Sequence, residues 1–131
     1  MSKGEQRQPD AIAPDGSEIR VLVNDAKRAS LVEVTLAAGQ TSRPVRHRNV
    51  EEIWYITSGD GEIWRRPPPN QPAEGAVIRV ATGDAVVIPT GWAFQFRAGE
   101  EPLTFLCYTS PPWPGDEEAM PAGPGAWPAS V

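Results

Sequence analysis

Histidine and cysteine are the residues that this chain has least of, since each occurs once in 131 residues. A single histidine excludes a metal site built from three histidines, because one imidazole cannot supply three ligands. A single cysteine, Cys107, excludes an intrachain disulfide, and its place in an apolar run predicts that it is buried as a small apolar residue. The chain therefore differs from secreted scaffolds that disulfides hold together.

Long apolar runs are also absent. No segment approaches the length of a membrane span, and the first residues lack the apolar core of a signal peptide. The formal net charge of −5 excludes the basic surface that binds nucleic acid or acidic membranes. From these features we expect a cytoplasmic protein with no nucleic-acid partner and no membrane partner.

What the chain does have is a series of short segments with the two-residue alternation of β-strands, separated by glycine and proline turns. Asp60-Gly61 is predicted to form a hairpin turn, and the proline-rich residues 67–72 are predicted to form a loop. No helical period stands out, so we expect an all-β barrel or sandwich. The predicted strands cover residues 18–23, 30–36, 45–47, 52–57, 62–66, 76–81, 85–88, 92–97 and 103–109.

The strand pattern divides the chain into an arm, a barrel and a tail. Residues 1–17 are polar and rich in turn-forming residues, and we predict that they form a flexible arm. Residues 18–110 form the predicted barrel. Residues 111–131 are rich in proline and include Trp113, which we expect to pack on the barrel or on a partner subunit. The arm and the tail can cover open sheet edges, so we predict a homodimer.

Two glycine-bearing motifs lie in order along the predicted strands. Their positions are Gly39, Val45, His47, Glu52 and Gly59 in the first motif, and Gly83, Pro89, Gly91 and Phe94 in the second. The spacings resemble the two conserved motifs of the cupin family, and the resemblance covers roughly residues 18–110. It implies a double-stranded β-helix, which is a jelly-roll barrel, of the kind found in short single-domain bacterial cupins.

Two positions depart from the cupin pattern. Cupins have histidines where this chain has Val45 and Phe94, and they commonly hold a divalent metal ion there. The resemblance therefore implies a degenerate metal site in which only His47 and Glu52 remain, and we expect no dedicated metal or other cofactor. If a divalent ion binds weakly, these two residues are its predicted ligands, and the remote candidates are Gln95 and Cys107.

In a closed barrel, one face of each strand lines the interior. We predict an apolar pocket around His47 and Glu52, with Arg43 as a candidate for binding an anionic group if it shares their inward face. The other predicted pocket residues are Val45, Trp54, Ile56, Phe94 and Phe96, with Trp64 and Trp92 at the mouth. The alternatives are that the aromatic residues simply fill the barrel and that the arginine lies in solvent.

Two functions remain open. The first is the binding of a small aromatic or lipophilic molecule by a cupin without the usual metal, with His47 and Glu52 orienting its polar end. The second is an enzyme of the isomerase, lyase or cyclase type, in which His47 and Glu52 are catalytic and transfer a proton, with no metal or a weakly bound one. The resemblance does not decide between them, because cupin-like folds include enzymes, sensors and storage proteins.

Overall fold

The computed structural model of the protein describes residues 7–71 and 73–131. These residues form eleven strands and one 3₁₀ helix, Asp116–Glu118, near the C-terminus. In chain order the strands are β1 (Ala11–Ile12), β2 (Glu18–Val23), β3 (Ser30–Leu36), β4 (Val45–His47), β5 (Glu51–Ser58), β6 (Asp60–Arg66), β7 (Ala76–Ala81), β8 (Ala85–Ile88), β9 (Ala93–Ala98), β10 (Leu103–Ser110) and β11 (Ala119–Pro121).

The strands are arranged in two antiparallel sheets. The larger sheet has the order β1-β2-β3-β10-β5-β8, and the smaller has the order β11-β4-β9-β6-β7. Because successive strands alternate between the sheets at several points, the two sheets enclose a common interior. This arrangement confirms the predicted all-β jelly-roll barrel. The described part of the chain has no helix that is long and apolar enough to cross a membrane.

Side chains along β5 follow the predicted alternation. Glu52, Trp54 and Ile56 are buried, whereas Ile53 and Tyr55 are about half exposed. The strand thus turns one face to the interior and the other outward, as pleating requires. All of the predicted strands are present, with ends that differ by no more than two residues from those predicted.

The predicted hairpin turn at Asp60-Gly61 is wrong. Both residues belong to β6 and pair with β7, and the residue between β5 and β6 is Gly59. Since β5 and β6 lie in different sheets, the chain makes a corner here and not a hairpin. Gly59 permits this corner because its φ of 78° suits glycine, and an added Cβ would collide with the carbonyl oxygen of Pro102.

The N-terminal segment differs from the flexible arm that the sequence predicts. Residues 1–6 of that arm lie outside the described residues, as does Pro72 of the proline-rich loop. In the described part, β1 pairs with β2, and both Asp15 and Ser17 are buried. A polar segment can be fixed in this way when its side chains accept hydrogen bonds from neighbouring backbone groups.

The C-terminal tail packs against the barrel of its own chain. β11 pairs with β4 at the edge of the smaller sheet, and the backbone N–H of Ser130 donates to the carbonyl of Thr41 at 2.9 Å. Glu118 fixes the start of β11, because its carboxylate accepts hydrogen bonds from Asn49 and Val50. Contact of the tail with a second subunit stays a prediction.

An aromatic cluster fills part of the interior, and we define it as Trp54, Phe94, Phe96 and Phe105. Trp54 stacks on Phe105 with 4.3 Å between ring centroids and meets the other two rings edge-on. Each ring is at most 2% exposed. Aromatic contacts of this kind stabilise beyond the burial of apolar area. The cluster therefore fixes β5, the strand from which Glu52 projects into the same interior.

Candidate functional site

A cavity of about 410 Å³ lies beside the aromatic cluster. Its wall comprises parts of the larger sheet, the end of β4 and the tail between residues 112 and 119. The apolar part of the wall includes Val21, Val32, Val34, Trp54, Phe105 and Trp113, and the polar part includes Asp15, Ser17, His47, Glu52, Thr109 and Asp116. Small-molecule sites have this composition and volumes of about 300–1,000 Å³.

His47 ends β4 and is only 6% exposed. Phe94 and Trp113 contact its ring edge-on, each with 5.1 Å between centroids. The Nδ1 atom has no hydrogen-bond partner among the described residues, and it lies 4.0 Å from Oε2 of Glu52. Buried polar atoms are rarely left without a partner. His47 therefore has hydrogen-bonding capacity that the described residues do not use.

Glu52 is held at both carboxyl oxygens. The indole N–H of Trp54 donates to Oε1 at 2.9 Å, and the hydroxyl of Thr109 donates to Oε2 at 2.9 Å. The sheet dictates both contacts, because residues 52 and 54 share one face of β5 and Thr109 lies directly across from Glu52 on β10. The carboxyl group is fixed in this way, and each oxygen keeps a lone pair for a further donor.

Asp15 is a polar group of the cavity that the sequence analysis missed. Its Oδ1 accepts hydrogen bonds from the backbone N–H of Ser17 at 2.9 Å and from the Ser17 hydroxyl at 2.6 Å. Burial raises the pKa of Asp15, and the charge of Glu52 adds to the rise, whereas the Ser17 hydrogen bonds and His47 oppose it. The sequence Asp15-Gly16-Ser17 favours a turn in which the aspartate side chain accepts a backbone hydrogen bond, and this signal could have identified Asp15 as a fixed polar group.

Cys107 lines the cavity from β10 and is buried, as the sequence predicts. Burial raises the pKa of its thiol well above the ordinary value, and the charge of Glu52 adds to this effect. Its sulfur lies 3.6 Å from the hydroxyl oxygen of Thr109. Because the thiolate is the reactive form of cysteine, a thiol that stays protonated contributes packing to the cavity wall and not chemistry.

Only some of the predicted pocket residues line the cavity. Val45 and Trp54 do so, together with His47 and Glu52. The buried side chains of the remaining inward-facing positions pack into the core and do not line the cavity; they are Ile56, Phe94 and Phe96. A two-residue alternation identifies side chains that face inward, and it cannot distinguish a filled part of the interior from a hollow one.

Arg43, Trp64 and Trp92 lie away from the cavity. Arg43 is exposed, and its Nε donates to the carbonyl of Val131 at 2.9 Å. It therefore does not share the inward face of the histidine, which was the condition for the predicted anion contact. The two tryptophans each lie against an arginine guanidinium outside the cavity, at 5.2 Å for Trp64 and 5.7 Å for Trp92.

The side chains near His47 do not fit a dedicated metal centre. Apolar side chains occupy the cupin ligand positions at Val45 and Phe94, and the described residues contain no group of three or more histidine, cysteine, aspartate or glutamate side chains able to hold an ion. Tight zinc sites generally use three or four protein ligands. Weak binding of a divalent ion by His47 and Glu52 stays a prediction, and no chemical step here is assigned to a metal.

The polar groups of the cavity can orient a ligand or move a proton. A neutral imidazole has one donor and one acceptor nitrogen, and a carboxylate accepts several hydrogen bonds. The surrounding apolar wall excludes part of the solvent, which strengthens polar contacts made inside. The arrangement therefore supports both functions that the sequence leaves open.

A family model for the cupin domain matches residues 32–109, which is more than half of the chain. The uncharacterised protein MJ1618 of Methanocaldococcus jannaschii is 29% identical over 107 residues, covering 78% of this chain and 79% of that protein. These sequence matches span the two glycine-bearing motifs of the strand region.

Solved structures with the same fold include KdgF from a Halomonas species and the DMSP lyase DddQ from Ruegeria pomeroyi. KdgF is 21% identical with a TM-score of 0.65, and the match covers 80% of this chain and 88% of KdgF. DddQ is 22% identical with a TM-score of 0.62, and the match covers 82% of this chain and 54% of DddQ. At these identities the likeness concerns the fold alone.

Proposed function

The chain belongs to the cupin family, and on that basis we propose that it binds a small molecule in the cavity beside His47 and Glu52. The observation that carries this proposal is the cavity itself, which is about 410 Å³ in volume and has a mostly apolar wall with a few fixed polar groups. A small barrel that filled itself with side chains would leave no such space. The apolar wall favours a ligand with an apolar body.

A screen of small molecules by thermal shift tests this proposal. A ligand that binds the native state raises the unfolding free energy, by about 2.7 kcal/mol at one hundred times its dissociation constant. We expect stabilising compounds to lose their effect in Val32→Trp, because Val32 lines the cavity and the larger ring occupies it.

The matched control is Val77→Trp, since Val77 is 44% exposed on an edge strand and does not line the cavity. Both variants must first unfold cooperatively in the absence of ligand. A compound that stabilises both variants as strongly as the wild type binds elsewhere, and if every stabilising compound behaved in that way the cavity would not be the binding site.

The alternative function is proton transfer within a bound substrate. The unpartnered Nδ1 of His47, 4.0 Å from Oε2 of Glu52, favours it, because a small shift would create an imidazole–carboxylate hydrogen bond that orients the ring as a general base.

Deuterium exchange into a bound ligand tests this alternative. In D₂O, catalysis of proton transfer incorporates deuterium into the ligand at a carbon that does not exchange in free solution, and we expect His47→Ala and Glu52→Gln to abolish the incorporation. Glu101→Gln is the control, since this exposed carboxylate lies outside the cavity. A ligand that binds without exchange in the wild-type protein argues for binding alone.

We also propose that the protein is a homodimer located in the cytoplasm. The outer face of the larger sheet supports dimerisation, because Tyr108, Ile53 and Val87 lie side by side on β10, β5 and β8 and are 42–47% exposed. Light scattering should give the mass of a dimer for the wild type, and Ile53→Lys should lower the measured mass toward that of a monomer.

The unpaired Cys107 supports the cytoplasmic location, because proteins of oxidising compartments commonly pair their cysteines in disulfides. Cell fractionation tests this location.

A further inference from the structure

The charged side chains of the cavity wall are of one sign. Asp15, Glu52 and Asp116 supply three carboxyl groups, and among residues 7–71 and 73–131 no lysine or arginine lines the cavity. With the three carboxyl groups ionised, the wall would carry more negative charge than a protonated His47 could offset. We infer that the ligand of this cavity carries a positively charged nitrogen on an apolar body, an inference that rests on the proposed binding function.

The acceptors in the wall suit such a group. An ammonium has N–H donors and no acceptor. Asp15 and Glu52 are at least nine-tenths buried, and Oδ2 of Asp15 accepts no hydrogen bond from the described residues. The Nδ1 of His47 is likewise unpartnered, and in the neutral tautomer with the proton on Nε2 it is a further acceptor. These acceptors lie in one cavity wall, so a donor-rich group is the chemical complement of what the chain leaves unused.

A bound cation would also reduce the electrostatic cost of ionising the buried Asp15 carboxyl group beside Glu52. The Asp15 carboxyl is disfavoured as an anion, first by burial and then by the charge of Glu52. A positive charge between them would offset both effects, whereas a ligand carboxylate would increase the repulsion. Trp54 and Trp113 also line the cavity, and an indole ring can attract a cation and contact an apolar body.

The arginines near the histidine do not reverse this charge. Arg43 donates to the carbonyl of Val131, and Arg48 donates to the carbonyl of Glu117, both at 2.9 Å. Neither lines the cavity. A bare metal cation does not fit either, because the described residues offer no cluster of three or more suitable ligands. An organic cation is therefore the ligand class that the wall favours.

Titration calorimetry with isosteric compounds tests the inference. The probes are phenethylamine, phenylacetate and 2-phenylethanol, together with hexylamine, hexanoate and hexanol, all near neutral pH. We expect each amine to bind at least about tenfold more tightly than the acid and the alcohol of the same skeleton. Asp15→Asn and Glu52→Gln should reduce this preference to less than about threefold, and the exposed control Glu101→Gln should leave it unchanged.

The outcomes separate this inference from the binding function. If the acids or alcohols bind as tightly as the amines and Val32→Trp removes that binding, the cavity binds ligands and the inference about charge is overturned. If amines bind more tightly but Asp15→Asn and Glu52→Gln leave the preference intact, the inference is also overturned. Failure of all six compounds to bind at millimolar concentration refutes it and counts against the binding function as well.

Discussion

The interior of this barrel is packed in one part and hollow in another. In the packed part, the rings of the aromatic cluster are at most 2% exposed and meet at 4.3–5.4 Å between centroids. In the hollow part, an adjacent cavity of about 410 Å³ is bounded by the N-terminal strands and the tail. Trp54 belongs to both, because its ring lies in the cluster and its N–H binds Glu52.

The difference teaches that the packed core and the proposed binding site occupy separate parts of one interior. The packed part contains apolar side chains whose burial stabilises the fold. The hollow part contains buried carboxyl groups and an unpartnered imidazole nitrogen, and buried polar groups of this kind cost stability unless they are hydrogen-bonded. Substitutions in the two parts should therefore have different, and in one case opposite, effects on the free energy of unfolding.

The largest effect is expected in the packed part. Phe96→Ala should lower the free energy of unfolding by about 3–5 kcal/mol, because Phe96 is fully buried and a cavity would remain in its place. Val32→Ala, at the wall of the existing cavity, should cost only about 1 kcal/mol. Denaturant unfolding measures both. Equal losses would show that the hollow part supports the fold as much as the packed one.

The next largest effect is expected where the tail closes the hollow part. Glu118→Gln should cost up to about 3 kcal/mol, because Asn49 and Val50 together donate to both carboxylate oxygens and an amide has only one acceptor oxygen, so at least one donor is left without a partner. Glu117→Gln is the control, since that side chain is exposed.

The loss in Glu118→Gln should depend on pH. Burial alone would raise the pKa of Glu118, but the hydrogen bonds from Asn49 and Val50 outweigh it and hold the pKa below the ordinary value of 4.5. The stabilisation by the ionised form is therefore complete above pH 4.5 and is lost as pH falls through the folded-state pKa. A difference between wild type and variant that stayed constant as the pH fell well below 4.5 would contradict this assignment.

A smaller effect is expected from Thr109→Val. The substitution removes the hydroxyl that donates to Oε2 of Glu52 at 2.9 Å and leaves the shape of the side chain nearly unchanged. Loss of one donor to a buried carboxyl should cost about 1.5 kcal/mol, measured by denaturant unfolding. Thr109→Ser keeps the hydroxyl and should cost less. If the two variants were equally destabilised, packing and not the hydrogen bond would hold Thr109 in place.

The smallest effect, and the one of opposite sign, is expected from Asp15→Asn. Because the pKa of Asp15 is raised above 3.8 in the folded state, the contribution of this group to stability is complete below pH 3.8 and is lost as pH rises through the folded-state pKa. The amide keeps an oxygen for the Ser17 donors, so the variant should equal or exceed the wild type in stability at pH 7 and lose that advantage toward pH 4. Unfolding curves across this pH range provide the test.

Much of the fold follows from the sequence because the relevant patterns are local. The alternation of residues 52–57 determines which side chains of β5 face inward, and the positions of the predicted strands are confirmed. The corner at Gly59 could not be predicted from a local pattern. Asp-Gly is a typical hairpin sequence, and only the pairing of β6 with β7 excludes a hairpin turn at Asp60-Gly61.

The sequence by itself determined the strands, the cupin motifs and the impossibility of a three-histidine site, since these depend on residue types and their spacing. Only the tertiary structure decided which part of the interior is hollow, that Asp15 and Trp113 join His47 there, and that Arg43 does not. The physical reason is that a cavity arises from contacts between distant segments, such as Glu118 with Asn49 across 69 residues, and no local pattern encodes them.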